Sequence, residues 1–581
     1  MLPFYLATSA IFLAIIQQGQ CEDSPHILVD VGYTKYQGLV NLATGNTEFL
    51  GIRYAAPPLG NLRWRQPQVP QYVEEVQLAN IQPKQCFQAF PGTSPPPPFK
   101  FQLLDLDTVA VNVANVSDSP QPLEPGPPEN SMTEDCLFLN VYSPGGNWTT
   151  TSGQKRPVVV WIHGGGYILG SASGAAGTFD GNDLIRQSSG NVVVVVIQYR
   201  LGLFGFLAGK KLKQDGVLNP GLIDQEFALN WVQDHISKFG GDPSKVTIWG
   251  ESAGAGSVLQ HLIAHEGNTE PPLFRGAILS SPYLPPQYPF DHDIPESMFS
   301  NVLALTGCSE SSDPTECLRA ADPTVLQAAN LQVNNEAFSG TFAFVPVVDG
   351  TFIKDSPSRL LSRGKVNTKH ILVVTNTDEG RLFVDAKVTP ESTPLEDYLS
   401  GLFPGLGPED GKAVTAYYKS FASNTERFSA ILGDAIFVCP AYTLQSAVGG
   451  GYKAVFAIHP SLHIDDVPYY FPSLGAVPQM LGYLFGVVTD PPAPIGPRFP
   501  NPEFIQAFAQ SFMDFAINLD PNVKSNVTSI LPKWPKWTKD STTEMLFNRT
   551  GDVPDIRTVV SDAAITERCA FWASVAPFTH Q

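Results

Sequence analysis

The feature that most constrains the fold is a Gly-x-Ser-x-Gly motif between a strand pattern and a helix pattern. The β-branched run 246–249 precedes Gly250-Glu251-Ser252-Ala253-Gly254, and apolar residues at helical spacing follow over 258–262. The glycines permit a tight turn that holds a serine hydroxyl exposed beside a free backbone N–H. The motif alone is expected by chance about 0.3 times in such a chain. The flanking elements therefore carry the prediction that Ser252 is a nucleophile.

Short β-branched runs alternate with helical patterns through the middle of the chain. This alternation is typical of an α/β fold with a large, mostly parallel central sheet flanked by helices. Neither an internal repeat nor a long Gly/Ser linker is present, which predicts a single domain over residues 22–581. Chemistry in such sheets lies at the carboxyl ends of the strands. The predicted strands cover 157–162, 192–197, 246–249, 371–374 and 454–458, and a predicted helix covers 221–239.

A second motif, His163-Gly164-Gly165-Gly166-Tyr167, follows the first of these strands. Consecutive glycines let backbone N–H groups approach the oxyanion of a tetrahedral intermediate without obstruction by Cβ atoms. A flexible turn is the alternative interpretation. Because this motif and the serine turn both follow strands of one predicted sheet, we favour an oxyanion-binding loop.

A serine nucleophile needs a base, and the base needs a carboxylate that fixes its tautomer. In folds of this kind the chain order is serine, acid, histidine. Asp378 and Glu379 follow one predicted strand, and His459 and His463 follow another. On these grounds both acids and both histidines remain candidates.

Two histidines four residues apart, with two aspartates nearby, also suggest metal ligands. Pro460 directly after the first histidine disfavours a continuous helical pair, and the chain has no HExxH pattern. The sequence therefore predicts neither a metal site nor another cofactor.

Charge and the amino-terminal segment indicate where the protein works. The net charge is −19, and no Lys/Arg run is present that could follow a phosphate backbone, so nucleic-acid binding is disfavoured. Residues 1–21 resemble a secretory signal peptide, because an apolar run is followed by polar residues. The run is too short for a membrane-spanning anchor. No later stretch has the length and apolarity of a transmembrane segment. We therefore predict a secreted, extracellular protein.

Sequons and cysteines agree with an oxidising, extracellular environment. Removal of residues 1–21 leaves an even number of cysteines, which suits three disulfides but allows fifteen pairings. The cysteines are Cys86, Cys136, Cys308, Cys317, Cys439 and Cys569. The predicted glycosylation sites are Asn115, Asn147, Asn526 and Asn548.

Three further segments accompany these motifs: Phe49-Leu-Gly-Ile-Arg-Tyr54, Glu134-Asp-Cys-Leu-Phe-Leu-Asn-Val-Tyr-Ser-Pro144 and Asn219-Pro-Gly-Leu-Ile-Asp-Gln225. In this order they resemble the type-B carboxylesterase/lipase family, which includes fungal lipases, sterol esterases and cholinesterases. The resemblance covers essentially the whole mature chain and implies the α/β-hydrolase fold.

The resemblance also implies roles for individual residues. It selects Glu379 as the acid and His463 as the base, and it makes His459 a bystander. It assigns the oxyanion donors to the N–H groups of Gly165, Gly166 and Ala253. Glu251 is similar to a family residue that supports the site without joining the triad.

Disulfide partners follow from the same resemblance: Cys86 with Cys136, Cys308 with Cys317, and Cys439 with Cys569. Cholinesterases carry a tryptophan shortly before the second cysteine of the first pair, where choline stacks by cation–π attraction. The corresponding stretch here, 123–130, has no aromatic residue. Choline specificity is therefore disfavoured.

The resulting hypothesis is a secreted serine hydrolase that cleaves small-molecule or lipid esters through an acyl-enzyme. Carboxylesterase, lipase, sterol esterase and feruloyl esterase activities are not separated by the sequence. The alternative is a non-catalytic adhesion or interaction protein on the same fold, as some cholinesterase-like proteins are. Such proteins typically lack a triad member, whereas all three are present here.

Overall fold

The computed structural model of the protein describes residues 27–95, 132–145, 155–174, 177–474, 496–525 and 527–581. The predicted signal peptide and three predicted glycosylation sites, Asn115, Asn147 and Asn526, lie outside these residues. Asn548 lies within them, half-buried on a strand. Its glycosylation stays a prediction.

Strands occur along the whole described chain. In chain order they are β1 Ile27–Asp30, β2 Lys35–Val40, β3 Thr47–Arg53, β4 Gln77–Leu78, β5 Gln85–Cys86, β6 Met132–Thr133, β7 Phe138–Ser143, β8 Arg156–Ile162, β9 Ser173–Gly174, β10 Gly177–Thr178, β11 Val193–Ile197, β12 Gly241–Glu251, β13 Gly276–Ser280, β14 Ile371–Asn376, β15 Tyr452–Phe456, β16 Thr543–Thr550 and β17 Val553–Val560.

Within the described residues, thirteen of these strands form one sheet in the order β1-β2-β3-β7-β11-β8-β12-β13-β14-β15-β16-β17, with β4 paired to β2. Every neighbouring pair from β11 to β16 is parallel. Strand β11 is buried at every position, as a strand covered on both faces requires. The predicted α/β class and the five predicted strands are confirmed, with boundaries that differ by a few residues.

Helices cover both faces of the sheet. The predicted helix 221–239 is present as an α-helix, Pro220–His235, followed by a 3-10 turn, Ile236–Phe239. The other α-helices are Gly181–Gln187, Gly202–Phe206, Lys210–Asp215, Ala253–Ile263, Asp293–Leu305, Pro314–Ala320, Pro323–Asn335, Pro357–Ser362, Leu395–Leu402, Pro408–Tyr417, Asn424–Gly433, Cys439–Val448, Val467–Tyr470, Pro502–Asn518 and Ala563–Thr579.

The strand order changes direction at β8. The chain runs from β8 to β11 on one side and then returns to β12 on the other. A crevice forms where the connections after two neighbouring strands leave in opposite directions. Ile162, the last residue of β8, pairs with Gly250 near the end of β12, so the two strands end side by side. The glycine loop and the serine turn therefore leave the sheet at the same edge.

One helical stretch in the described part of the chain, Asn424–Val448, is long and apolar enough to cross a membrane. Of its most apolar window, 78% is buried inside the fold. Core packing therefore accounts for its apolar composition.

The structure contains the three disulfides that the resemblance implies. They join Cys86 to Cys136, Cys308 to Cys317 and Cys439 to Cys569. The last pair spans 130 residues of sequence and connects the carboxyl-terminal helix to the helix Cys439–Val448.

Candidate active site

Ser252 occupies a sharp turn between strand and helix. Strand β12 ends at Glu251 and the helix begins at Ala253, so Ser252 is the single residue between them. Its φ of 55° and ψ of −125° lie outside the regions that L-residues usually occupy, which is the strained conformation of a nucleophile turn. A methyl group added at Gly254 would lie 2.0 Å from the Ile162 carbonyl oxygen, so glycine is required there.

His463 and Glu379 are in direct contact. The imidazole Nδ1 lies 2.6 Å from Oε2 of Glu379, and both side chains are buried. Because the carboxylate accepts, Nδ1 donates, and a neutral imidazole then keeps its lone pair on Nε2. This is the tautomer that a general base for serine requires.

The second oxygen of Glu379 is held by two donors that the sequence did not reveal. Oε1 accepts from the hydroxyl of Ser281 at 2.7 Å and from the backbone N–H of Asn376 at 2.6 Å. Ser281 follows β13 directly and Asn376 ends β14. The signal that could have found them is position, since both lie at the carboxyl ends of strands.

On its other side the imidazole meets Glu251. Nε2 of His463 lies 3.2 Å from Oε1 of Glu251, without the geometry of a hydrogen bond. Burial raises the pKa of Glu251 to about 8. Burial alone would lower the pKa of His463, but the neighbouring acids Glu251 and Glu379 outweigh it and raise that pKa above its usual value.

The Ser252 hydroxyl has no hydrogen-bond partner within the described ranges. The structure thus joins Glu379 to His463 and brings His463 against Glu251, the residue before Ser252, but does not hydrogen-bond the serine to the imidazole. Contacts of this kind often tighten only when substrate is bound.

Asp466 adds a third buried acid near the imidazole. Its carboxylate accepts from the side-chain amide of Asn376 at 3.1 Å and from the hydroxyl of Tyr470 at 2.9 Å. Burial raises the pKa of Asp466 to about 6. Asn376 therefore contacts both acids: its backbone N–H donates to Glu379, and its side-chain amide donates to Asp466.

The other candidates from the sequence lie apart from this pair. His459 is exposed, and Asp378 is half-buried, with its backbone N–H bonded to the Ser461 carbonyl at 3.0 Å. In the described part of the chain, no three His, Cys, Asp or Glu side chains form a group that could hold a metal ion.

The glycine loop after β8 presents free donors. Among the described residues, the backbone N–H groups of Gly165 and Gly166 donate to no protein group. Ala253 is the first residue of its helix, where N–H groups have no acceptor within the helix. A methyl group added at Gly164 would lie 3.0 Å from Cβ of Ser252, so this loop packs directly against the serine turn.

A large apolar cavity lies beside these residues. It is open to solvent on one side, its empty space including that opening is about 860 Å³, and none of its lining residues is charged. Tyr283, which lines it, donates its backbone N–H to the Ser252 carbonyl at 3.3 Å. Phe342, also in the lining, packs against Gly166, where an added methyl group would lie 2.5 Å from the ring.

Two lining rings of the cavity also contact the imidazole. The ring centroids of Phe437 and Phe383 lie 4.4 and 5.2 Å from that of His463. The cavity therefore shares a wall with the site, and apolar rings shield one face of the imidazole from water.

A model of the carboxylesterase family matches residues 28–572. The chain belongs to this carboxylesterase family. The resemblance seen in the motifs is thereby confirmed, and so is the prediction of a carboxylic ester hydrolase.

Individual carboxylesterase-family proteins resemble the chain over most of its length. The secreted triacylglycerol lipase LIP1 of Gibberella zeae is 31% identical over 538 residues, which cover 88% of this chain and 84% of the lipase. The cholinesterase of Mus musculus is 33% identical over 460 residues, 74% of this chain and 69% of that protein. The crystal structure of Aspergillus niger EstA superposes with a TM-score of 0.76 at 29% identity, covering 96% of this chain and 99% of EstA.

Proposed function

We propose that this carboxylesterase is a secreted serine esterase with the catalytic triad Ser252, His463 and Glu379. The observation that carries the proposal is the bond between Nδ1 of His463 and Glu379, since it leaves Nε2 as the basic nitrogen on the side of Glu251 and the serine turn. The family and the α/β architecture support the same assignment.

The proposed reaction is two-step acyl transfer. Nε2 of His463 takes the hydroxyl proton of Ser252 as the serine oxygen attacks the ester carbonyl carbon, and the carbonyl oxygen becomes an oxyanion. The N–H groups of Gly165, Gly166 and Ala253 bind that oxyanion. The imidazolium then returns the proton to the departing alcohol, and water releases the acid by the same sequence of transfers.

The cavity favours neutral esters with an apolar acyl group. Its lining is uncharged, and the rings of Phe342, Phe383 and Phe437 connect it to the oxyanion loop and to the base. A charged acyl group would lose its hydration there without gaining an ion pair. In a panel of p-nitrophenyl esters, kcat/KM should rise with acyl length and be lowest for a succinyl monoester.

Secretion is the second part of the proposal. Relatives from three fungi are named as secreted lipases, and three disulfides suit an oxidising compartment. We infer that residues 1–21 direct export and that the mature domain begins at residue 22. Amino-terminal sequencing of protein from the culture medium tests the cleavage site, and retention of residues 1–21 would contradict it.

The decisive experiment replaces the nucleophile. Ser252→Ala should lower kcat for a p-nitrophenyl ester by at least about 10⁴-fold, because no other group can form the acyl-enzyme. His463→Ala should lose a similar factor. His459→Ala is the matched control, since this exposed histidine of the same loop should leave kcat unchanged. Wild-type turnover by a folded Ser252→Ala protein would refute the triad.

A fluorophosphonate probe separates the esterase from a non-catalytic adhesion protein on the same fold. The probe should label the wild type stoichiometrically and should fail to label Ser252→Ala. Absence of labelling in native, folded wild type would favour the adhesion protein.

A further inference from the structure

His163, the residue before the glycines, makes an unusual contact with its own loop. Its Nδ1 lies 2.9 Å from the carbonyl oxygen of Gly164, and the side chain is buried. A carbonyl oxygen only accepts, so Nδ1 must carry the hydrogen. Burial lowers the pKa of His163 to about 4, so the ring is neutral near pH 7 and Nε2 carries no proton.

Tyr199 fixes the orientation of this ring. The two rings stack with their centroids 4.5 Å apart and an interplanar angle of 18°. The Tyr199 hydroxyl also donates to the His163 carbonyl at 2.9 Å. The stacking therefore holds the imidazole in the orientation in which Nδ1 meets the Gly164 carbonyl.

Because the peptide unit is planar, this hydrogen bond also sets the orientation of the next residue's N–H. The carbonyl oxygen of Gly164 and the N–H of Gly165 belong to one planar trans peptide unit and point in opposite directions. A hydrogen bond that holds the oxygen toward His163 therefore holds the Gly165 N–H on the opposite side. Glycines rotate freely enough that this peptide would otherwise turn easily.

Gly170 keeps space for the contact. A methyl group added there would lie 2.4 Å from the Gly164 oxygen and 2.6 Å from Nδ1 of His163. The side-chain amide of Gln88 binds both backbone groups of Gly170, accepting from its N–H at 3.2 Å and donating to its carbonyl at 3.1 Å. The hydrogen bond between His163 and Gly164 is therefore surrounded by Gly170 and Gln88, which come from other segments of the chain.

We propose that His163 is a positioning residue that orients the Gly165 N–H toward the oxyanion by donating from Nδ1 to the Gly164 carbonyl. The inference rests on the proposed esterase function and assigns His163 no contact with the substrate. Its effect is on the transition state, because only the tetrahedral intermediate carries the charge that this N–H binds.

The test compares His163→Leu with His163→Asn. Leucine removes the donor, so kcat should fall about 10- to 100-fold while KM stays within about twofold, since one misdirected donor costs less than a deleted one. Affinity for a trifluoromethyl ketone, which forms a tetrahedral adduct with the serine, should fall by a similar factor. Asparagine, whose amide can donate near the position of Nδ1, should recover most of the loss.

Tyr199→Phe is the matched control. It keeps the stacked ring and removes only the bond to the His163 carbonyl, so kcat should stay within about twofold of the wild type. Thermal melting and titration with a fluorophosphonate give the folded, active fraction of each variant. If His163→Leu does not fold, Gly170→Ala disturbs the same bond from outside and should show the same change in kcat.

Unchanged kcat in folded His163→Leu, or equal loss in the leucine and asparagine variants, would overturn the proposal. A crystal structure of His163→Leu with the Gly164 peptide unmoved would do so independently of turnover. Failure of the triad is a separate result, because it requires that Ser252→Ala keep its activity. Loss of activity in Ser252→Ala with normal kcat in His163→Leu refutes the positioning role alone.

Discussion

The imidazole of His463 has an acid on each side: Glu379 at Nδ1 and Glu251 beside Nε2. The two acids differ in their surroundings. Glu379 receives donors from Ser281 and Asn376, whereas Oε1 of Glu251 has no hydrogen-bond partner in the described part of the chain. Donors therefore hold Glu379 in place, whereas burial raises the pKa of Glu251 and a protonated imidazole beside it favours loss of its proton.

We expect Glu251→Gln to extend activity to lower pH. Glu251 raises the pKa of His463, and in the proposed mechanism only the neutral imidazole accepts the serine proton. Removing this acid lowers that pKa, so the acidic limb of the kcat/KM profile should move to lower pH. An acidic limb that stays in place or moves upward would contradict this coupling. Asp378→Asn, a half-buried acid outside the pair, is the control.

Local sequence identified Ser252 because its motif and both flanking elements are contiguous. It left Asp378 and Glu379 open, because adjacent carboxylates differ only in which one the folded turn directs inward. Family resemblance selected Glu379, and the contact with His463 agrees with that choice. Ser281 was not predicted because its hydroxyl meets Glu379 only after β13 and β14 pair, and Asn376 was not predicted because its contact with Glu379 is made by a backbone N–H, which the residue type does not reveal.

Among the elements, the π-helical turn Asp434–Val438 stands between the helices Asn424–Gly433 and Cys439–Val448. Its widened geometry is common at functional sites, and it places Phe437 on the His463 ring. Asp434 anchors the turn, since it accepts from Arg568 at 2.6 Å and from the Tyr418 hydroxyl at 2.7 Å. The sequence does not reveal this turn, because nothing local distinguishes a π turn from an α turn.

Asp434→Asn should destabilise the protein by about 3 kcal/mol, because it leaves the largely buried Arg568 without its counter-charge. Urea unfolding followed by tryptophan fluorescence measures the change. Glu409→Gln serves as the control, since it removes an exposed ion pair with Lys412 and should leave stability nearly unchanged. Equal losses of unfolding free energy in the two variants would contradict the role of Asp434 as an anchor of the turn.

At the scale of the whole molecule, the alternating pattern predicted the sheet, its parallel centre and the edge where the site lies. It could not predict strand order at the switch beside β8, or the antiparallel strands that extend both sides. Cysteine counting allowed fifteen pairings, and only the resemblance selected the three that are present. Long-range pairing is a property of the assembled fold, which local patterns do not encode.

The bridge between Cys439 and Cys569 closes the longest loop of the three and ties the carboxyl-terminal helix to the element after the π turn. Removing it in the double variant Cys439→Ala, Cys569→Ala should lower the free energy of unfolding by about 2–5 kcal/mol. The equivalent change at Cys308 and Cys317, which closes a loop of only nine residues in sequence separation, should cost less. Differential scanning calorimetry tests this ranking, and the reverse order would contradict it.

The rings of Phe383 and Phe437 couple the acid specificity of this enzyme to its rate. In the proposed mechanism the same two rings bound the space for the acyl chain and shield the general base, so neither property can be altered alone. Replacing Phe437 with a smaller residue to admit bulkier acyl groups would let water reach the imidazole. The imidazole would then accept the serine proton less effectively. Variants with broader acid tolerance should therefore be slower catalysts unless a second substitution restores the shield.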